Sequence, residues 1–124
     1  MSKVKIIKTR HVLAVKDLTK SVDYYKSKLG FQTIWEDGGG WHCLGRDGWE
    51  IMLGECPDDR SAFELANHSY FAYINLENVD DLYAEFSSKG CEISHRLQTK
   101  PWGQREFGIQ TIDGHRIMFG ETVG

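Results

Sequence analysis

Apolar positions along this chain follow two rhythms, short β-like runs and one helical spacing, and the two are drawn in the same order twice. Val12, Leu13, Ala14 and Val15 form a brief apolar strand, and Asp17 stands at a helix cap ahead of Leu18, Val22, Tyr25 and Leu29 at helical intervals. Gly30 ends that helix. Three β-like runs follow at residues 31–35, 41–44 and 49–53, separated by Gly38-Gly39-Gly40 and by Arg46-Asp47-Gly48. The first half is therefore expected to be βαβββ.

An offset of 61 residues repeats the pattern, placing Val15 on Leu76, Asp17 on Asn78, Leu18 on Val79, Tyr25 on Phe86 and Lys28 on Lys89. The second copy runs through a strand at 70–76, a helix at 79–88 capped by Asn78, and strands near 92–95, 105–109 and 116–120. Asp113-Gly114 is expected to repeat the Asp47-Gly48 turn, and Ile51-Met52 matches Ile117-Met118 in the closing strands. The fold class is α+β: two βαβββ modules forming a curved mixed sheet, helices on the convex face and a concave cleft for a ligand. Module one spans about 8–56, a joining segment about 57–67 and module two about 68–122, all in one domain of 124 residues.

Composition narrows the function classes. At 40% hydrophobic and 27% charged residues, with no long apolar run, a membrane span is not expected. The first ten residues carry Lys3, Lys5, Lys8 and Arg10 without a signal-peptide pattern, so a cytoplasmic location is expected. Cys43, Cys56 and Cys91 contain no C-x-x-C pair, which argues for free thiols. A formal charge of −3 without a basic stripe gives no footprint for nucleic acid.

Val15-Lys16-Asp17-Leu18, Ser21, Tyr24-Tyr25 and Lys28-Leu29-Gly30-Phe31 resemble the first-module signature of glyoxalases and bleomycin-resistance proteins. Residues 80–85 and the element Pro101-Trp102-Gly103-Gln104-Arg105-Glu106-Phe107, followed by Asp113-Gly114, resemble the bleomycin-resistance branch of this vicinal-oxygen-chelate superfamily. The resemblance implies a homodimer with a small-molecule cleft. It also implies where metal-dependent members place their ligands, and those positions fall here on Arg10, Met52, Phe71 and Met118, none a hard-metal ligand. No cofactor is expected.

Strand parity tests the substitutes. His11 is one residue out of phase with Arg10, and Glu55 and Glu121 lie an odd number beyond their methionines, so all three should point off the cleft. His68 sits 57 residues after His11 rather than 61, and Glu50 keeps the right parity but lacks imidazole partners. Trp49, in phase with Ile51 and Leu53, belongs to the core.

With methionine and phenylalanine at the ligand positions, the cleft is polarizable and suited to a large flat molecule. The resemblance assigns aromatic contact to Trp41, Tyr73 and Trp102. Glu36 and Asp37, with Asp58, Asp59 and Glu64 in the joining segment, supply an acidic rim, and Glu50 joins them by parity. The expected function is non-catalytic sequestration of a bleomycin-like antibiotic. Two alternatives stay open: a glyoxalase-type lyase or thiol transferase, which would need His11, Glu50 or His68 in the cleft, and a binding protein for another aromatic metabolite. Cys43 shares parity with Trp41, yet no base is placed to activate it, and a buried structural thiol is the expectation.

Overall fold

The computed structural model describes residues 10–58 and 70–123. The first module contains β1 (His11–Val15), α1 (Leu18–Ser27), β2 (Gln32–Glu36), β3 (Trp41–Arg46) and β4 (Trp49–Glu55). The second contains β5 (Tyr70–Asn75), α2 (Val79–Ser88), β6 (Glu92–Thr99), β7 (Gln104–Gln110) and β8 (Arg116–Thr122). Each builds its own four-stranded mixed sheet, in the orders β1-β4-β3-β2 and β5-β8-β7-β6. In both, the first strand runs parallel to the last and the other pairs are antiparallel. The chain divides into two compact units, one per module.

Strand and helix positions follow the hydrophobic pattern closely, with one extension. β6 continues to Thr99, beyond the expected end near residue 95, because its pairing with β7 shifts register between Ile93 and His95 and again before Gln98. Each shift breaks the alternation that marks a strand in sequence. The two Asp-Gly turns also differ. Asp47 and Gly48 both adopt positive φ, 51° and 86°, and close β3 onto β4 as a two-residue turn. Asp113-Gly114 instead lies in a wider loop closed by Thr111 and His115, with Thr111 N–H donating to the His115 carbonyl at 2.8 Å.

Each helix covers one face of its sheet. Tyr24, Tyr25 and Leu29 pack with Leu13, Val15, Leu44, Ile51 and Leu53, all buried, as alternation in β1 and β4 requires. Trp49 joins this core: its ring meets Phe31 at 5.0 Å, and its indole N–H donates to His11 Nδ1 at 3.2 Å. Phe86 of α2 lies 5.5 Å from Phe119, which stacks on Phe107 at 5.1 Å. Truncating one of these fully buried rings to alanine would cost about 3–5 kcal/mol.

The helix starts are held by the last strands. Asp17 caps α1 as its spacing predicts, its carboxylate accepting from Lys20 N–H at 3.2 Å, and Glu55 accepts from Leu18 N–H at 3.0 Å. Asn78 does not act as the side-chain cap expected of it. It takes a left-handed conformation, φ 64°, and makes no side-chain cap bond. Glu121 supplies that function, accepting from Val79 N–H at 3.0 Å. The two glutamates that parity points away from the cleft thus secure the two helices.

β5 is bulged at Phe71: Tyr70 faces Arg116 and Ala72 faces Ile117, so Phe71 lies outside the pairing. Its ring meets His115 edge-on at 5.9 Å. Buried there, the His115 imidazole is pushed below its ordinary pKa despite Asp113, and its Nδ1 has no hydrogen-bond partner among the described residues. Also among the described residues, no helix is long and apolar enough to cross a membrane.

Two outcomes follow for stability. Glu121→Ala is expected to lower the unfolding free energy by about 1–2 kcal/mol, and Glu55→Ala, whose bond is exposed, by less than about 1 kcal/mol, read from urea midpoints at unchanged slope. Because the folded pKa of His115 is lowered, its contribution is fully present above the unfolded value of about 6.5 and is lost as pH falls through the folded value. Urea midpoints of the native protein should therefore fall between about pH 7 and pH 5. In His115→Leu this part of the pH dependence should vanish.

Candidate functional site

The strand faces turned away from the helices carry the positions of interest. In the first sheet Val12 sits beside Met52, Met52 opposite Cys43, and Cys43 opposite Trp35. Trp41 pairs with Gly54, and its indole rests on that glycine so closely that a Cβ there would lie 2.9 Å from the ring. Trp35 and Trp41 are both about 40% exposed, at 39% and 40%. Cys43 is fully buried.

Glu50 is on this face and buried, and the Arg10 guanidinium donates to it at 2.6 Å. Arg10 thereby neutralises Glu50, and the contact raises the Arg10 pKa above its ordinary value. A half-exposed pair of this kind is best viewed as mutual charge neutralisation, since its desolvation offsets much of its attraction.

The second sheet carries a different constellation. Tyr73 lies beside Met118, whose thioether covers Gly108 across the pair with β7. The Tyr73 ring sits over Gly120, where any Cβ would collide with its hydroxyl. That hydroxyl donates to Glu106 at 2.9 Å and lies 3.3 Å from Gln104 Oε1. Desolvation, first, and then the Glu106 carboxylate push the phenol up to about 12, so it stays a neutral donor at physiological pH. Glu106 is 9% exposed and has no cationic partner among the described residues.

Sequence reasoning brought Trp41, Tyr73, Met52, Met118 and Glu50 to the open faces, where the structure has them. Phe71 lies outside the β5–β8 pairing at the bulge, and its ring contacts His115. Glu36 turns to the helix side: it pairs with His42, and its carboxylate lies 3.5 Å from His42 Nδ1. Asp37 folds back on its own turn, accepting from Gly39 N–H at 2.7 Å and Trp41 N–H at 3.1 Å, bonds that lower its pKa. Trp102 occupies the β6–β7 turn, 67% exposed, with Lys100 Nζ 5.7 Å above its ring. His68, Asp59 and Glu64 lie outside the described residues, and Asp58 is exposed.

Glu106 and Trp35 were not singled out in advance. Glu106 lies within the Pro101–Phe107 element itself, and its parity with Gly108 would have pointed to the same face. Trp35 was hidden by a register shift between Thr33 and Trp35.

The donors do not fit a hard divalent cation. Arg10 is a cation tied to Glu50, Met52 and Met118 offer thioethers, and no three histidine, cysteine or carboxylate side chains cluster among the described residues. What the faces offer instead is aromatic surface, polarizable sulfur and, at Glu106, a sheltered carboxylate.

These features sit on a fold with known relatives. A bleomycin resistance protein from Geobacillus stearothermophilus is 23% identical over 124 residues, covering 90% of this chain and 93% of the relative. TioX from Micromonospora sp. ML1 superposes with a TM-score of 0.78 at 20% identity, over 94% of this chain and 99% of its own. The bleomycin resistance determinant encoded on transposon Tn5 gives 0.77 at 18% identity, over 94% and 98%. The family model of the Glyoxalase/Bleomycin resistance protein/Dioxygenase superfamily matches residues 8–119, nearly the whole of both modules, and the chain belongs to that superfamily.

Proposed function

We propose that this protein binds and sequesters a flat, cationic antibiotic of the bleomycin type without transforming it, and that it does so as a homodimer. The observation that carries the reading is the pair of aromatic platforms on the open faces. Trp41 is seated on Gly54 and Tyr73 on Gly120, each on a face where a thioether stands at a metal-ligand position. Glycine at these two positions lets a large ring lie flat on the sheet, which holds its face ready for a planar ligand at little entropic cost.

Each well-placed aromatic contact contributes about 0.5–1.5 kcal/mol beyond the area it buries. Trp35 and Trp102 extend the aromatic surface, both exposed in the unliganded chain. The cationic part of the ligand is assigned to Glu106 rather than to Glu50, because Arg10 already compensates Glu50 while Glu106 accepts from the Tyr73 hydroxyl and has no cationic partner among the described residues. The bleomycin resistance proteins among its relatives favour this ligand class over other aromatic metabolites.

The test is a titration of metal-stripped protein with metal-free bleomycin, followed by tryptophan fluorescence and by calorimetry. Saturable quenching near one ligand per chain is expected. Trp102→Ala should weaken binding about tenfold and Glu106→Gln by a similar factor, each near 1.4 kcal/mol. Gly120→Ala, which displaces Tyr73, should weaken it at least as much. Absence of both quenching and heat at high micromolar ligand would sink the antibiotic reading, and stoichiometric retention of a divalent metal would favour a lyase or transferase in its place.

A further inference from the structure

The helix side of the first module holds a feature that the antibiotic reading touches only at Trp41, on its rim. A cavity of about 380 Å³ opens between the first turns of α1 and the β2–β3 hairpin. Leu18 and Val22 form its apolar wall, Trp41 and the hairpin glycines its rim, and Glu36, His42 and Glu55 its polar lining. Its size lies within the range of small-molecule sites.

Strand pairing separates this cavity from the open face. His42 pairs with Leu53 and Glu36 pairs with His42, while Glu55 continues the helix-side series of Ile51 and Leu53. The polar wall is built rather than incidental. His42 is 8% exposed, fixed between Thr33 Oγ1 at 2.8 Å and the Glu36 carboxylate at 3.5 Å. One oxygen of Glu55 accepts from Leu18 N–H, and the Asp37 carboxylate locks the hairpin through Gly39 and Trp41. Among the described residues no lysine or arginine lines the cavity, so its two carboxylates give it net negative character beside an apolar wall.

We propose that this cavity is a second small-molecule site, taking a small organic cation such as a primary amine with an apolar tail. The ammonium sits at Glu36, reinforced by Glu55, and the tail lies against Leu18 and Val22. Glu36 is the recognising group because its carboxylate side chain is 61% exposed and, among the described residues, is held by His42, which leaves it able to turn toward an ammonium. The proposal stands apart from antibiotic binding and can fail without it.

Benzylamine is the probe, with benzyl alcohol as the neutral isostere and benzoate as the anion, each titrated into the full-length, isotope-labelled, antibiotic-free protein to about 20 mM and read from amide shifts. Saturable shifts at Thr19, Gly38, Gly40 and His42 are expected with benzylamine. The alcohol should bind about fivefold more weakly and benzoate not at all. Glu36→Gln should bring the amine down to the alcohol's affinity, while Val22→Trp, which fills the cavity, should abolish the shifts with the remaining spectrum preserved. Equal binding of amine and alcohol, shifts confined to the open face, no saturable shift by the highest concentration, or an unaffected Glu36→Gln variant would each overturn the proposal.

Discussion

Two central strands, β4 and β8, carry the whole arrangement by the plain alternation of their side chains. On one side Ile51, Leu53 and Glu55 pack beneath α1 and hold its first turn; on the other, Glu50, Met52 and Gly54 form the floor of the open face. β8 repeats this with Ile117, Phe119 and Glu121 against Met118 and Gly120. A slip of one residue in either strand would exchange core for floor and release a helix start in the same step, so register is fixed by burial and by capping together. The helix-side glutamates are conformational anchors, each holding a helix start.

Glycines complete what alternation begins. Gly54 and Gly120 have no room for a Cβ beneath Trp41 and Tyr73, and this absence of a side chain turns ordinary strand aromatics into flat platforms. Charge is handled differently in the two modules. In the first, Arg10 and Glu50 cancel; in the second, Tyr73 gives Glu106 a hydrogen bond but no compensating charge. The first face therefore offers mainly aromatic and thioether surface, whereas the second adds a carboxylate without a cationic partner among the described residues. The helix-side cavity shows the same economy, since the hairpin that carries Trp41 at the cavity's rim also carries Glu36 and His42 in its lining.

The sequence by itself determined the doubled βαβββ order, the two helices and the side of the sheet on which His11, Trp49, Glu55 and Glu121 lie. Those properties are local: periods of two and of 3.6 residues, and turn residues with special dihedrals, leave a direct trace in the order of apolar and polar positions. That Arg10, Met52, Phe71 and Met118 stand where metal-dependent relatives place ligands is implied by the family resemblance and not by these periods. The bulge that leaves Phe71 outside the pairing carries no mark in composition, and the extent of β6 was obscured by two register shifts.

Only tertiary structure decided which polar groups meet. That Glu121 rather than Asn78 serves α2, that Arg10 spends its charge on Glu50, and that Tyr73 reaches Glu106 are contacts between residues 30 or more positions apart. Such contacts depend on which strands lie side by side and on which long side chains can span the gap. Hydrophobic periodicity fixes the face a residue occupies, but hydrogen-bond partners are chosen by distance and direction in space, and these exist only once the sheet has formed.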